Sequence, residues 1–372
     1  MRTRWFDELP DPLIVDAIPR FLERFLARRG ELAGLAANLC RTPIAHHLED
    51  VDDSIAECAV LASHRLEAEP RVARQPRGAV LVGLSANEPL VVGVIPIVAG
   101  LLYGNRLRVR PSRQNVAIMD EIVGELWNAG VPRDRVELVS FDPRAIGSGF
   151  DAMDHVVWFG SADSCRSVLK QAADANLGCT LEAEGFDVAI VEESVEPESL
   201  ALAARFIIRS VARHSGQICQ AIRAVVVAAA RFDEFLVMLQ REASALKIGP
   251  AGDRSTEITV PFVIDVQSSL AFPDSAPFEP RMLVAPFASD GELQSLLRQN
   301  PYGLSISVFT SSPPESTFRS YAAIARVGRI LVNCDPRHVD PVLPWGGYRR
   351  SGSGPATWAD KFTDIVIRYT ES

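Results

Sequence analysis

Apolar residues recur at helical spacing in the first part of the chain, at Phe21, Leu22, Phe25, Leu26, Leu32, Leu35 and Leu39, then at Ile55, Val60 and Leu61. Steps of three and four put these side chains on one stripe, which predicts helical structure over 13–66. From Gly78 the texture changes. Ala79–Gly83 is a short unbroken apolar run and predicts a buried strand, Pro89–Tyr103 a buried helix, Arg106–Arg110 a strand and Val116–Gly130 a helix. The alternation continues with strands at 136–140, His155–Phe159 and Val188–Val191 and a helix over Ser164–Ala175. A second series follows, with a helix over 198–210, a strand at Ala224–Val227 and a helix over Phe232–Leu246. Helices alternating with strands imply parallel, doubly wound sheets, so the expected class is α/β. Asp253–Arg281 is rich in Pro, Ser and Asp and predicts an irregular connection, with order resuming at Met282.

At 372 residues the chain exceeds one simple core and points to two or three domains. A net charge of −9 disfavours a nucleic-acid partner, because phosphate binding needs a basic stripe. The run Pro89–Tyr103 is shorter than the ~20 residues of a membrane span, so no membrane partner is expected. Acidic residues and prolines precede any apolar stretch at the N-terminus, which predicts a cytoplasmic protein without a signal peptide. The six cysteines, at 40, 58, 165, 179, 219 and 334, form no CxxC pair, so free thiols and no metal site are expected. Gly147-Ser148-Gly149 is only a fragment of a dinucleotide fingerprint, and periodicity alone names no cofactor.

Several ordered segments carry the chemistry. Gly216-Gln217-Ile218-Cys219 with Arg223 resembles the Gly-Gln-x-Cys segment of the aldehyde dehydrogenase superfamily. Asn87-Glu88-Pro89-Leu90 resembles its Asn-x-Pro-Leu, and Glu182-Ala183-Glu184-Gly185 its Glu-Leu-Gly-Gly, with Ala183 and Glu184 departing from it. Gly104-Asn105 with Arg110-Pro111-Ser112 resembles Gly-Asn followed by Lys-Pro-Ser, and Trp158-Phe159-Gly160-Ser161 resembles Phe-Thr-Gly-Ser. Asn300–Thr310 and Pro344–Gly354 are similar to its two C-terminal segments.

The resemblance implies a Rossmann-type cofactor domain plus a second α/β catalytic domain. Residues 1–183 would hold the N-terminal helices and the dinucleotide unit, 184–343 the catalytic domain, and 344–372 a segment returning to the first domain. It implies Cys219 as nucleophile, since a soft thiolate adds to a carbonyl, forms a thiohemiacetal and then a thioester. Asn87 becomes an oxyanion donor and Glu182 the base that activates water. Arg110, Ser112, Arg113, Gly160, Ser161 and Glu279 become cofactor contacts. Arg113 stands where NAD-preferring relatives often hold a glutamate, so NADP is favoured over NAD. The expected reaction is NAD(P)-dependent oxidation of an aldehyde to an acid by a homo-oligomer, a homodimer. Two alternatives are NADPH-dependent reduction of an acyl thioester and a catalytically silent scaffold. Glu182 tips the balance toward oxidation, because thioester reduction needs no activated water.

Overall fold

The computed structural model describes residues 11–63, 72–141, 150 and 152–367. The Gly147–Gly149 fragment and the first ten residues lie outside the described residues.

Three helices open the chain: α1 (Pro12–Ala27), α2 (Arg29–Cys40) and α3 (Ile44–Ser63). Asp11 starts α1 by accepting the Leu13 N–H, and Pro12, which needs no amide partner in the first turn, follows it. Ile14, Ile18, Phe21 and Phe25 form the buried stripe of α1, against α5 (Val116–Asn128) and the first sheet.

That sheet has five parallel strands in the order β4-β3-β2-β5-β6: Val136–Leu138, Arg106–Arg110, Ala79–Gly83, His155–Phe159 and Gly178–Glu182. Its centre is covered on both sides, which is why β2 reads as an unbroken apolar run. Val80 and Val82 face the N-terminal helices, while Ala79 and Leu81 face Trp158 and α6 (Ala162–Asp174). Successive strands run outward from β2 in one direction and then from β5 in the other. The reversal between β2 and β5 opens a crevice at their C-terminal ends.

Glu182 ends β6, and Asp187 begins β7 (Asp187–Val191) in the second sheet. The second sheet holds six parallel strands in the order β13-β12-β7-β8-β10-β9: Arg329–Val332, Ser305–Phe309, β7, Ile222–Ala228, Arg281–Phe287 and Val263–Val266. Helices α7 (Pro197–Ala212) and α8 (Phe232–Ser244) cover one face through Ile207 and Phe235, and α9 (Asp290–Gln299) covers the other through Leu293. A short helix α10 (Pro314–Ala322) joins β12 to β13. The two-stranded pair β11 (Tyr302–Gly303) and β14 (Tyr348–Arg349) lies beside this sheet. The chain then returns to the first sheet. Helix α11 (Trp358–Phe362) places Phe362 in the first core, and β15 (Thr363–Ile367) pairs antiparallel with β1 (Val72–Pro76).

Two expectations need correction. The apolar run from Pro89 is not one helix: residues 89–94 form turns, and α4 spans only Ile95–Leu102. Glu88 takes a left-handed φ of 49°, and the chain folds back until Gly93 lies on the Pro89 carbonyl, where a Cβ would come within 2.1 Å of the oxygen. The Asp253–Arg281 connection contains β9, an edge strand whose half-exposed side chains, with Asp265 bound to Arg281, hide its pattern. Strands β1, β6 and β15 also lie outside the sequence-based assignment.

Candidate active site

Cys219 sits between α7 and β8 on a strained approach. His214, Ser215 and Gly216 are all left-handed, with φ of 47°, 52° and 80°. Non-glycine residues persist there only when their surroundings over-determine them. Arg223, almost wholly buried, is one such constraint: it donates to the carbonyls of Gly216, Ile218 (3.4 Å) and Glu279 (2.8 Å). Gly216 is required because a Cβ would strike the Glu279 carbonyl.

A second constraint comes from α3. Arg213 pairs with Glu49, Asp50 (2.7 Å) and Asp53 (3.4 Å), and His214 Nε2 lies 3.0 Å from Asp50 Oδ2. His46 Nδ1 accepts the His214 N–H at 3.0 Å, and His47 reaches Asp50 at 3.3 Å. His47, Asp50 and His214 bring three ligand-type atoms within 4.8 Å of one another. Arg213 already supplies a cation to that carboxylate, so the cluster is an ion-paired anchor for the cysteine loop. Burial pushes His214 down to about 4 and leaves the ring neutral near pH 7.

Cys219 opens into a cleft of 870 Å³ shared by both sheets, and Asn87, Glu182, Gly160 and Ser161 line the same cleft. Burial raises the Cys219 thiol, and the charge of Glu88 acts on it more strongly than that of any other group around it. Asn87 donates from Nδ2 to Glu88 Oε2 at 3.1 Å. The Glu182 carboxylate is clasped by the ammonium of Lys361, a fully buried lysine that also donates to the Trp345 carbonyl at 2.8 Å. Burial nevertheless leaves Glu182 above the ordinary carboxylate range, despite Lys361 pulling it down. All six cysteines are free.

The crevice between β2 and β5 has the features an anionic dinucleotide needs. Gly160 and Ser161 stand at the N-terminus of α6, where backbone N–H groups and the helix dipole favour negative charge. This end already attracts an anion, since the Glu184 carboxylate accepts from the Ala162 N–H. The Ser161 hydroxyl accepts from Ser164 N as the helix cap. At the end of β3, the Ser112 hydroxyl is buried without a hydrogen-bond partner, an orphan donor for a ligand. Arg110 is buried with its guanidinium 5.7 Å from the Trp158 ring centroid, and Arg113 is exposed. These three residues do not line the cleft that holds Cys219. The Glu279 side chain also lies away from it, bound to Arg281 at 2.7 Å; its part in the site is the backbone carbonyl that meets Gly216 and Arg223.

A model of the aldehyde dehydrogenase family matches residues 16–261 and 259–370. The chain belongs to this family. It is 26% identical over 324 residues to a 4,4'-diapolycopene aldehyde oxidase from a Methylomonas species, covering 77% of this chain and 60% of that protein. It is 23% identical over 370 residues to the NADP/NAD-dependent aldehyde dehydrogenase PuuC of Escherichia coli, covering 88% of this chain and 72% of that protein. The fold superposes on the crystal structure of an NAD-dependent aldehyde dehydrogenase from Sinorhizobium meliloti with a TM-score of 0.85 at 20% identity, over 95% of this chain and 81% of that one. Among the described residues, no helix of this aldehyde dehydrogenase family member is long and apolar enough to cross a membrane.

Sequence reasoning missed Lys361, Glu88 and the α3 anchor. Lys361 had a signal: it is one of three lysines in a chain with 38 Lys and Arg, set beside Phe362. One consequence of the geometry is testable at Gly185, where an added Cβ would lie 2.2 Å from the Cys219 carbonyl oxygen. Gly185→Ala removes no functional group, yet displacing the cysteine by a fraction of an ångström is expected to cost roughly a hundredfold in turnover. Steady-state kinetics at wild-type rate would show that the close approach is not needed.

Proposed function

We propose that this protein oxidises an aldehyde to a carboxylic acid, using Cys219 as nucleophile and NAD or NADP as the electron acceptor. The observation that carries this reading is the convergence of Cys219, Asn87 and Glu182 on one cleft that also reaches Gly160 and Ser161.

The sulfur of Cys219 adds to the carbonyl carbon, and the Asn87 amide faces the oxygen that gains charge, a neutral donor that needs no proton of its own. A nicotinamide bound in the crevice would supply the hydride acceptor for the thiohemiacetal, and Cys219 would then carry the acyl group as a thioester. Glu182 then takes a proton from the water that cleaves the thioester and frees the acid. Its position in the cleft, with burial raising its basicity, supports this direction over acyl-thioester reduction. Ser112, Gly160 and Ser161 would hold the dinucleotide, with Arg110 shaping the floor through Trp158. The protein works as a homo-oligomer in the cytoplasm on a small-molecule aldehyde.

The test is nicotinamide absorbance with a panel of aldehydes. Exposed Arg113 is the residue we assign to the 2′-phosphate of NADP. Arg113→Glu should raise KM for NADP by about tenfold or more relative to NAD. An unchanged ratio of the two constants removes that role.

A further inference from the structure

Charge is unevenly distributed over the cleft that holds Cys219. Among the described residues, eight carboxylates line it against two guanidiniums, those of Arg213 and Arg337. Most of the acids are committed. Glu49 and Asp53 pair with Arg213, Asp335 with Arg337, and Glu182 with Lys361. Glu184 accepts the N–H groups of Ala162 and Ala276, and Asp340 that of Val342. Glu57 and Glu88 remain, and neither has a cation among the described residues.

Both are fixed in the wall. Helix α3 presents Glu49, Asp53, Glu57 and Val60 to the cleft at steps of four, four and three, which is one helical face. Glu57, half-buried, therefore stands one turn beyond the carboxylates that Arg213 satisfies. Glu88 enters from the turn after Asn87. It is nine-tenths buried; its Oε2 accepts from the Asn87 amide, and its Oε1 has no partner among the described residues. Burial, reinforced by the charge of Asp53, pushes Glu57 up to about 7, and burial with the charge of Asp50 pushes Glu88 up to about 8. The chain thus leaves two carboxyls that would gain from a cation it does not itself supply.

The remaining wall is apolar, with Val91, Val92, Ile95, Leu343 and Trp345 lining the same cleft. An aldehyde with an anionic end would add to the negative charge. A wholly apolar one would strip water from Glu57 and Glu88 and put nothing in its place. We propose that the substrate is an aldehyde with a positively charged nitrogen at the far end of an aliphatic chain, and that Glu57 and Glu88 receive that nitrogen; this rests on the reading of Cys219 as the nucleophile of an aldehyde oxidation. The methylenes pack on Val91, Val92 and Leu343. The acid-lined wall also draws the cation in before contact, because a cleft lined by one sign of charge focuses its field. With the nitrogen in place both carboxyls are held ionised, the reverse of what burial alone does to them.

The experiment follows nicotinamide absorbance for 4-(trimethylammonio)butanal and for 5,5-dimethylhexanal, its uncharged carbon isostere. In the full chain, kcat/KM for the charged aldehyde should exceed that for the isostere by about tenfold or more. Glu57→Gln should lower this ratio by about fivefold, mainly through KM for the charged aldehyde, and Glu57→Gln/Glu88→Gln should bring it close to one. Glu57→Asp, which keeps the charge, should retain most of the preference. Asp52→Asn removes the same charge from the same helix at a residue that does not line the cleft, and should keep the wild-type ratio. A second measurement needs no turnover: butyltrimethylammonium, titrated by calorimetry, should bind Glu57→Gln/Glu88→Gln at least about tenfold more weakly than wild type. Ammonium binding without oxidation of either aldehyde would refute the oxidation and leave the cation site standing. Equal kcat/KM for the two aldehydes, a preference that survives in the double variant, or ammonium binding that the double variant does not weaken overturns the proposal.

Discussion

Cys219→Ala is expected to lose all measurable NAD(P)H formation from any aldehyde the protein oxidises, a drop of at least about a thousandfold. The substitution removes one sulfur from a half-buried position and leaves in place Arg223, which fixes the loop through three carbonyls. The fold should therefore survive, and circular dichroism melting within a few degrees of wild type would attribute the loss to chemistry. The effect is all-or-none because, in the proposed reaction, every later step takes place on a bond to that sulfur. Cys165, Cys179 and Cys334 are free thiols too, but none of them lines the cleft. Equal rates for wild type and Cys219→Ala would exclude the nucleophile and with it the proposed oxidation.

The second large effect belongs to stability. Lys361 is fully buried against the nearly buried Glu182, and removing one member of such a pair leaves the other charge in the core. Lys361→Met is expected to destabilise the protein by about 3–5 kcal/mol in urea unfolding. The double variant Lys361→Met/Glu182→Gln removes both charges and should recover most of that loss, as buried pairs often cost little when both partners become neutral. A single-variant loss below ~1 kcal/mol would mean that water reaches Glu182 and that the pair is not structural.

The α/β periodicity was legible because both parallel sheets are covered on both faces, and a doubly buried strand such as Ala79–Gly83 has no polar positions to blur it. Edge and pairing strands were not. Thr363–Ile367 is mostly exposed beyond its first residue and gains its order from pairing with Val72–Pro76, a partner far away in the chain. For the site, Cys219, Asn87 and Glu182 could be read because short motifs carry them, and they meet in one cleft. Glu279 was chosen for its side chain, whereas its place in the fold depends on its carbonyl, which a residue letter does not reveal. Asp50, Arg213 and Lys361 act through tertiary contacts, the last with a partner 179 residues away, and no local pattern encodes such a meeting.

The bond between Glu182 and Lys361 also sets an order in time. A ribosome delivers residue 182 long before residue 361, so β6 emerges with a carboxylate that has no counter-ion, and β1 emerges without its pairing strand. Both are settled only when α11 and β15 arrive. The wall of the cleft that holds Cys219, to which Trp358 also contributes, is therefore complete only once α11 has docked.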